Sequence, residues 1–165
     1  MKKVNTPLID TFETHWTDLV GFATSLKAPE PEDAVADAKL YAIENGYDER
    51  YEAKKALNPL SYARGLVYWE VMKQHKEETR HEAMKAAMSE GEDSYTMASL
   101  ETSMDVQAAL EQLPIAERVV AMACLIHGQS QLDAGRYFGK SQAWASEQLT
   151  EARRKLAKLL ADYNK

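Results

Sequence analysis

Apolar residues recur three and four positions apart along nearly the whole chain, and no segment alternates apolar and polar as a half-buried strand would. The pattern predicts an all-α protein. A first helix is expected over Thr11–Leu26, then an interruption at Pro29 and Pro31, then a second helix over Glu32–Glu44. Asn45-Gly46 is a helix stop, and a charged loop leads from it to Leu57. Asn58-Pro59 joins a capping side chain to a proline suited to the first helical position, so a third helix should start there and run to about Met88. Residues 89–103 are small, acidic and aperiodic and read as a linker. Beyond them, four shorter helices are expected near 103–112, 115–127, 130–138 and 141–162. The predicted architecture is two small helical domains, 1–88 and 104–165, joined by that acidic linker.

The stretch from Ser130 to Leu160 carries the most information. Ser130 and Asp133 have the spacing of a capping box at the start of a helix only two turns long. Gly139 then permits a tight turn, and Ser141 is placed to cap a longer helix. Ala134 and Gly135 are small enough for two helices to cross closely. In the longer helix, Ala145, Leu149, Ala152, Leu156 and Leu159 form one apolar ridge, expected to face the core. That leaves Ser141, Gln142, Ala143, Ser146 and Glu147 on the outward side of the opening turns, with Arg153, Arg154, Lys155 and Lys158 further along. This is the layout of a helix-turn-helix, whose second helix presents its first turns to base edges and its cations to phosphates. A plain helical hairpin with a solvated basic end fits the same spacing.

Further motifs in this half, Leu110-Glu111-Gln112-Leu113-Pro114, Glu117-Arg118, Gly128-Gln129-Ser130, Asp133-Ala134-Gly135 and Phe138-Gly139-Lys140-Ser141, give it a recognisable order. With Leu149 and Ala152-Arg153, that order resembles the promoter −35-binding domain of extracytoplasmic-function sigma factors. Two departures stand out. Gly135 occupies a place where the family usually has Ala, and Ser146-Glu147-Gln148 replaces a basic Lys-Ser-Arg. The second departure lowers the DNA affinity to be expected, since fewer phosphates are neutralised.

In the first half, Asp33-Ala34-Val35-Ala36-Asp37 resembles the family's D-L-V-Q-E segment, on the helix that docks to the polymerase clamp helices. The resemblance implies polymerase contacts from Asp33, Ala36, Asp37 and Leu40. Read from spacing alone, Asp33 and Asp37 share one helix face and could equally be a solvated edge. The third helix has two stripes. Leu60, Ala63, Val67 and Val71 should be core, while Tyr62, Leu66, Trp69, Lys73, Lys76 and Arg80 form a second stripe that begins aromatic and ends basic. Aromatic rings stack on unpaired bases and cations track the backbone, so Tyr62, Trp69, Lys73, Lys76 and Arg80 are candidate contacts to a melted strand. In the rival reading, Tyr62, Leu66 and Trp69 pack on the first two helices and only the lysines face out. The order Gly46-Tyr47-Asp48-Glu49, Asn58-Pro59-Leu60-Ser61-Tyr62-Ala63, Lys73–Glu78 also resembles late-transcription sigma factors of T-even phages, which brings in a phage origin.

Net charge is −6, unusual for a nucleic-acid binder, but it is unevenly spread. Residues 1–88 carry 12 basic and 15 acidic side chains, residues 89–103 four acidic ones, and residues 104–165 eight basic and seven acidic. Cys124 is the single cysteine, so no internal disulfide can form, and it reads as a small core residue. Its three-residue spacing to His127 lacks the further ligands of a metal site. No phosphate loop or nucleophile elbow is present, so an enzyme is the least supported class and no cofactor is expected. The N-terminal residues lack a secretory apolar run, and Val119–Ile126 is too short to span a bilayer, which predicts a cytoplasmic protein with no membrane partner. The resemblances imply a sigma-type initiation factor with core RNA polymerase and promoter DNA as partners, and they admit an anti-sigma or other regulatory protein. The rivals are a stand-alone helix-turn-helix regulator and a polymerase-binding inhibitor of sigma shape.

Overall fold

A computed structural model of the protein describes residues 7–47, 58–90 and 105–161, and every regular element among them is helical. The region expected as one first helix is divided into α1 (Pro7–Thr14) and α2 (Trp16–Ser25). His15, at φ −110° and ψ 24°, bends the chain between them. The hydrogen-bond ladder nevertheless runs through the bend: His15 N–H donates to Thr11 at 2.9 Å and the His15 carbonyl accepts from Leu19 at 2.9 Å. Leu8, Phe12, Leu19 and Ala23 therefore stay in one buried register, and a pattern of apolar spacing cannot register such a bend.

Helix α2 ends in a reverse turn that the sequence does not advertise. Lys27 N–H bonds the Thr24 carbonyl at 2.9 Å and Ala28 N–H reaches back to Ala23 at 3.1 Å. This is a Schellman closure with Lys27 at φ 57°, where glycine is the usual occupant. Helix α3 (Pro31–Glu44) starts with Pro31 in its first turn and Glu32 and Asp33 near the positive end of its dipole. It buries Ala34, Val35, Ala38 and Ala42 against α1 and α2 and is tied to α1 by a 2.9 Å Lys39–Glu13 ion pair. It stops at Asn45, as the sequence predicted, and the Asn45 amide donates to the Tyr41 carbonyl at 2.9 Å.

Helix α4 (Pro59–Glu90) begins where Asn58-Pro59 placed it, with Asn58 Oδ1 accepting from Ser61 N–H at 2.8 Å. From Ser61 to Met72 nearly every side chain is buried, Tyr62 and Arg64 being half-exposed. Over this segment residues of both stripes are core, Leu66 and Trp69 as well as Ala63, Val67 and Val71, because it lies inside the first unit. Further along, Gln74 exchanges two hydrogen bonds with the Glu30 backbone, at 3.2 and 3.4 Å, and His75 Nε2 lies 3.1 Å from the Leu26 carbonyl. These side chains hold the α2–α3 connection. The charged loop at 48–57 and all of the expected linker beyond Glu90 lie outside the described residues.

The chain divides into two compact units, 1–76 with 137–139, and 77–136 with 140–165. In the second, a helix at 105–111 (α5) precedes α6 (Ile115–Ala121), which continues as a π-helical turn over Met122–Ile126. Helices α7 (Gln131–Tyr137) and α8 (Gln142–Leu160) follow. Leu110, Leu113, Ile115, Val119 and Val120 are buried with Ala145, Leu149 and Ala152. Among them lies Arg118, 1 % exposed, whose Nη2 donates to the carbonyls of Glu111 at 2.7 Å and Leu113 at 3.2 Å. It satisfies carbonyls that the end of α5 leaves without helical partners, which explains the spacing of Leu110, Leu113, Pro114 and Arg118. Next to it, Glu117 on α6 pairs with Lys155 on α8 at 2.8 Å. No helix among the described residues is long and apolar enough to cross a membrane.

Two stability measurements check this account. Lys27→Gly should raise stability to chemical denaturation by about 0.5–1 kcal/mol, because it relieves a left-handed backbone strain at an exposed site. Arg118→Met keeps the aliphatic bulk but strands two carbonyls. It should lower stability by about 3 kcal/mol, and an unchanged denaturation midpoint would contradict the assigned role.

Candidate nucleic-acid interface

The two helices from Ser130 onward, α7 and α8, are built as follows. Ser130 Oγ accepts from Asp133 N–H at 3.1 Å and donates to the Asp133 carboxylate at 2.9 Å, closing the first turn of α7. At the other end of α7, Lys140 N–H returns to the Gly135 carbonyl at 2.9 Å, with Gly139 at φ 64°. Ser141, extended at φ −75° and ψ 164°, then caps α8, its hydroxyl accepting from Trp144 N–H at 3.2 Å. Gly135 has a second task. A Cβ built on it would stand 2.8 Å from the Ser141 carbonyl and 2.9 Å from that of Lys140. The backbone leading into α8 crosses α7 at a distance only glycine allows, which accounts for the departure from alanine noted above.

The orientation of α8 follows from its ridge. Ala145, Leu149 and Ala152 are buried, and Leu156 and Leu159 are half-buried. Ser141, Gln142, Ala143 and Glu147 are exposed and Ser146 is half-exposed. At 100° per residue, Ala143, Glu147, Thr150 and Arg154 form the stripe directly opposite the ridge. Of the basic residues, Arg153 is exposed, whereas Arg154 is engaged with Glu151 at 2.8 Å and Lys155 with Glu117. The Arg154 guanidinium holds the Glu151 carboxyl below the usual carboxylate range, and the pairing raises Arg154 in turn. Cys124 is half-buried in the π-helical turn and not in the core as expected. Desolvation pushes its thiol pKa up, with Arg153 opposing. His127 is exposed, and no cluster of three metal-ligating side chains exists among the described residues.

In the first unit, Trp69 requires a correction. It is 1 % exposed and packed in the core, so its ring is not available to stack on a base. Leu66 is fully buried as well. Two-stripe reading failed here because α4 is enclosed on both sides over this segment. Tyr62 does remain half-exposed, and it belongs to a row that sequence spacing missed: Tyr41, Tyr47 and Tyr62 follow one another with ring centroids 5.8 Å apart at each step. Lys73 lies 6.0 Å over the Tyr41 ring and is also paired with the nearly buried Glu70 at 3.2 Å. Lys76 and Arg80 are exposed further along α4. Tyr41 lies in the last turn of α3 and Tyr47 follows Gly46, so their meeting with Tyr62 depends on tertiary packing and leaves no periodic trace.

On α3, Asp33, Ala36, Asp37 and Leu40 are all exposed, and Ile43 extends the same strip. Leu40 at 52 % and Ile43 at 54 % are large apolar side chains left in water beside two carboxylates. Glu30, at the start of this helix, has its carboxyl pKa raised by hydrogen bonding and repulsion from Asp33.

Over 145 residues the chain is 28 % identical to the ECF RNA polymerase sigma factor SigM of Mycobacterium tuberculosis strain ATCC 25618 / H37Rv, and equally to that of strain ATCC 35801 / TMC 107 / Erdman. The similarity supports the sigma-factor family. It covers 86 % of this chain and 69 % of the relative, a span longer than either structural unit alone. No protein-family model matches the chain, and no solved structure matches it significantly.

The close approach at Gly135 can be measured. Gly135→Ala should destabilise the protein by about 1–3 kcal/mol, since the added methyl meets backbone carbonyls that cannot rotate away. An alanine variant as stable as the parent in thermal unfolding would show that the α7–α8 turn is looser than described.

Proposed function

We propose that this chain is a sigma-type transcription initiation factor, which binds core RNA polymerase in the bacterial cytoplasm and directs it to promoters. The observation that carries the reading is the Ser141-capped helix with its ridge buried and its opening turns outward, in a chain similar to SigM over most of its length. Under this reading Ser141, Gln142, Ala143, Ser146 and Glu147 meet the upstream major groove, and Arg153 and Arg154 lie toward phosphates. The strip of Asp33, Ala36, Asp37 and Leu40 is the polymerase-docking face, an acidic edge with an apolar centre. Tyr62 acts on the melted strand, with Tyr41 and Tyr47 completing the row and Lys73, Lys76 and Arg80 following the backbone. Trp69, buried in the core, takes no part in that contact. The likeness of Asn58–Glu78 to T-even phage factors supports a phage origin.

Few cations on the outward face of α8 are uncommitted, so the isolated chain should bind promoter DNA weakly and depend on polymerase for recruitment. Reconstitution with core enzyme tests this. The full chain should co-elute with core polymerase and give specific run-off transcripts. Leu40→Asp, on an exposed position, should reduce the association at least tenfold without changing the circular dichroism spectrum. Suppression of transcription by the added chain would identify a polymerase-binding inhibitor instead. A dimer that footprints a palindrome without polymerase would identify a stand-alone regulator.

A further inference from the structure

The outward stripe of α8 contains an acidic side chain at the point where a groove-reading helix comes closest to bases. Glu147 sits one turn after Ala143, whose methyl leaves it uncovered, and both are exposed. The neighbouring hydroxyl of Thr150 is turned back to the Ser146 carbonyl at 2.9 Å. The other carboxylate nearby, Glu151, is compensated by Arg154. No basic side chain occupies positions 143, 144, 150 or 151, the places one turn away from Glu147 along the helix. Its charge is therefore uncompensated within α8.

A bare carboxylate brought against DNA is repelled by phosphates and loses hydration, so it is tolerated only where the groove offers it a donor. Two major-groove donors exist, the cytosine N4 amino group and the adenine N6 amino group. Adenine sets its N7 acceptor beside N6, where it repels the second carboxylate oxygen. Cytosine sets no acceptor of its own there. Guanine and thymine offer acceptors only. We infer that Glu147 is a specificity-determining residue that selects a C·G pair in the upstream promoter element by accepting a hydrogen bond from cytosine N4. The inference rests on the sigma reading and deepens it.

The test uses the full chain bound to core polymerase, selecting from duplex promoter fragments randomised across the upstream element. The parent should enrich cytosine at one position by roughly tenfold over the other bases. Glu147→Gln should move the preference at that position, and there alone, toward adenine, because an amide can accept from N6 and donate to N7. Glu147→Ala should flatten the preference there and raise overall binding at low salt. A position-by-position preference identical in parent, Glu147→Gln and Glu147→Ala complexes overturns the inference while leaving the sigma reading intact. If the chain binds core polymerase but selects no sequence, the inference and the promoter-reading part of the proposal both fall. If it does not bind core polymerase at all, the sigma reading itself fails.

Discussion

Between Gly135 and the carbonyls of Lys140 and Ser141 there is no room for a methyl group, and this contact fixes where α8 begins. Everything outward on α8 depends on it. The Gly139 reversal delivers the chain to Ser141 in an extended conformation, the Ser141 hydroxyl closes the first turn, and the Ala145–Leu149–Ala152 ridge then has a single direction in which to be buried. Arg118 and the Glu117–Lys155 pair secure the opposite side. The guanidinium holds the α5–α6 turn by its carbonyls, and the ion pair links α6 to α8. A charge as deeply placed as Arg118 is costly to desolvate, and its two backbone hydrogen bonds are what make the position tolerable.

The electrostatics of the outward surface are shaped by pairing more than by composition. Residues 104–165 carry an excess of one positive charge, yet Arg118 is buried, Lys155 is bound to Glu117, and Arg154 and Arg136 are matched by Glu151 and Asp133. Exposed pairs such as Arg154–Glu151 are weak and can be exchanged for a phosphate, whereas Lys155 sits against a nearly buried carboxylate and is less easily released. Counting cations therefore overstates the grip this surface can exert on DNA.

Much of the fold was legible because its signals are local. Asn58-Pro59, Asn45-Gly46, Ser130 with Asp133, and Gly139-Ser141 each act within one turn of backbone, and each marks a boundary at or next to the place the sequence indicated. The ridge of α8 was legible for a related reason: a helix with one buried face writes its orientation as a period of 3.6. What escaped was non-local. The bend at His15 preserves the apolar register and so has no signature, and the left-handed turn at Lys27 lacks the glycine that would announce it. The spacing on α4 leaves Trp69 open between a base-stacking stripe and the core, and burial decides for the core because the helix is enclosed at one end and open at the other. The same enclosure brings Tyr62 to Tyr47 and Tyr41, residues from three separate segments that no spacing rule connects.

That tyrosine row and the α3 strip share a helix, since Tyr41 follows Leu40 directly while facing elsewhere. Leu40 is exposed at 52 %, and Tyr41 is half-buried against Tyr47. A partner seated on the strip would thus contact a helix whose other side carries the aromatic row. Under the proposed sigma reading, this coupling has a physical consequence. Docking would hold α3 and make later contacts from the same chain intramolecular, so that weak stacking and a poorly charged α8 would suffice. On that reading, an α8 surface with an uncompensated carboxylate would be a poor independent DNA ligand, but with recruitment supplied elsewhere it would need only to discriminate. Discrimination is the task for which a carboxylate, repelled by most of the groove and accepted by few of its groups, is better suited than another cation.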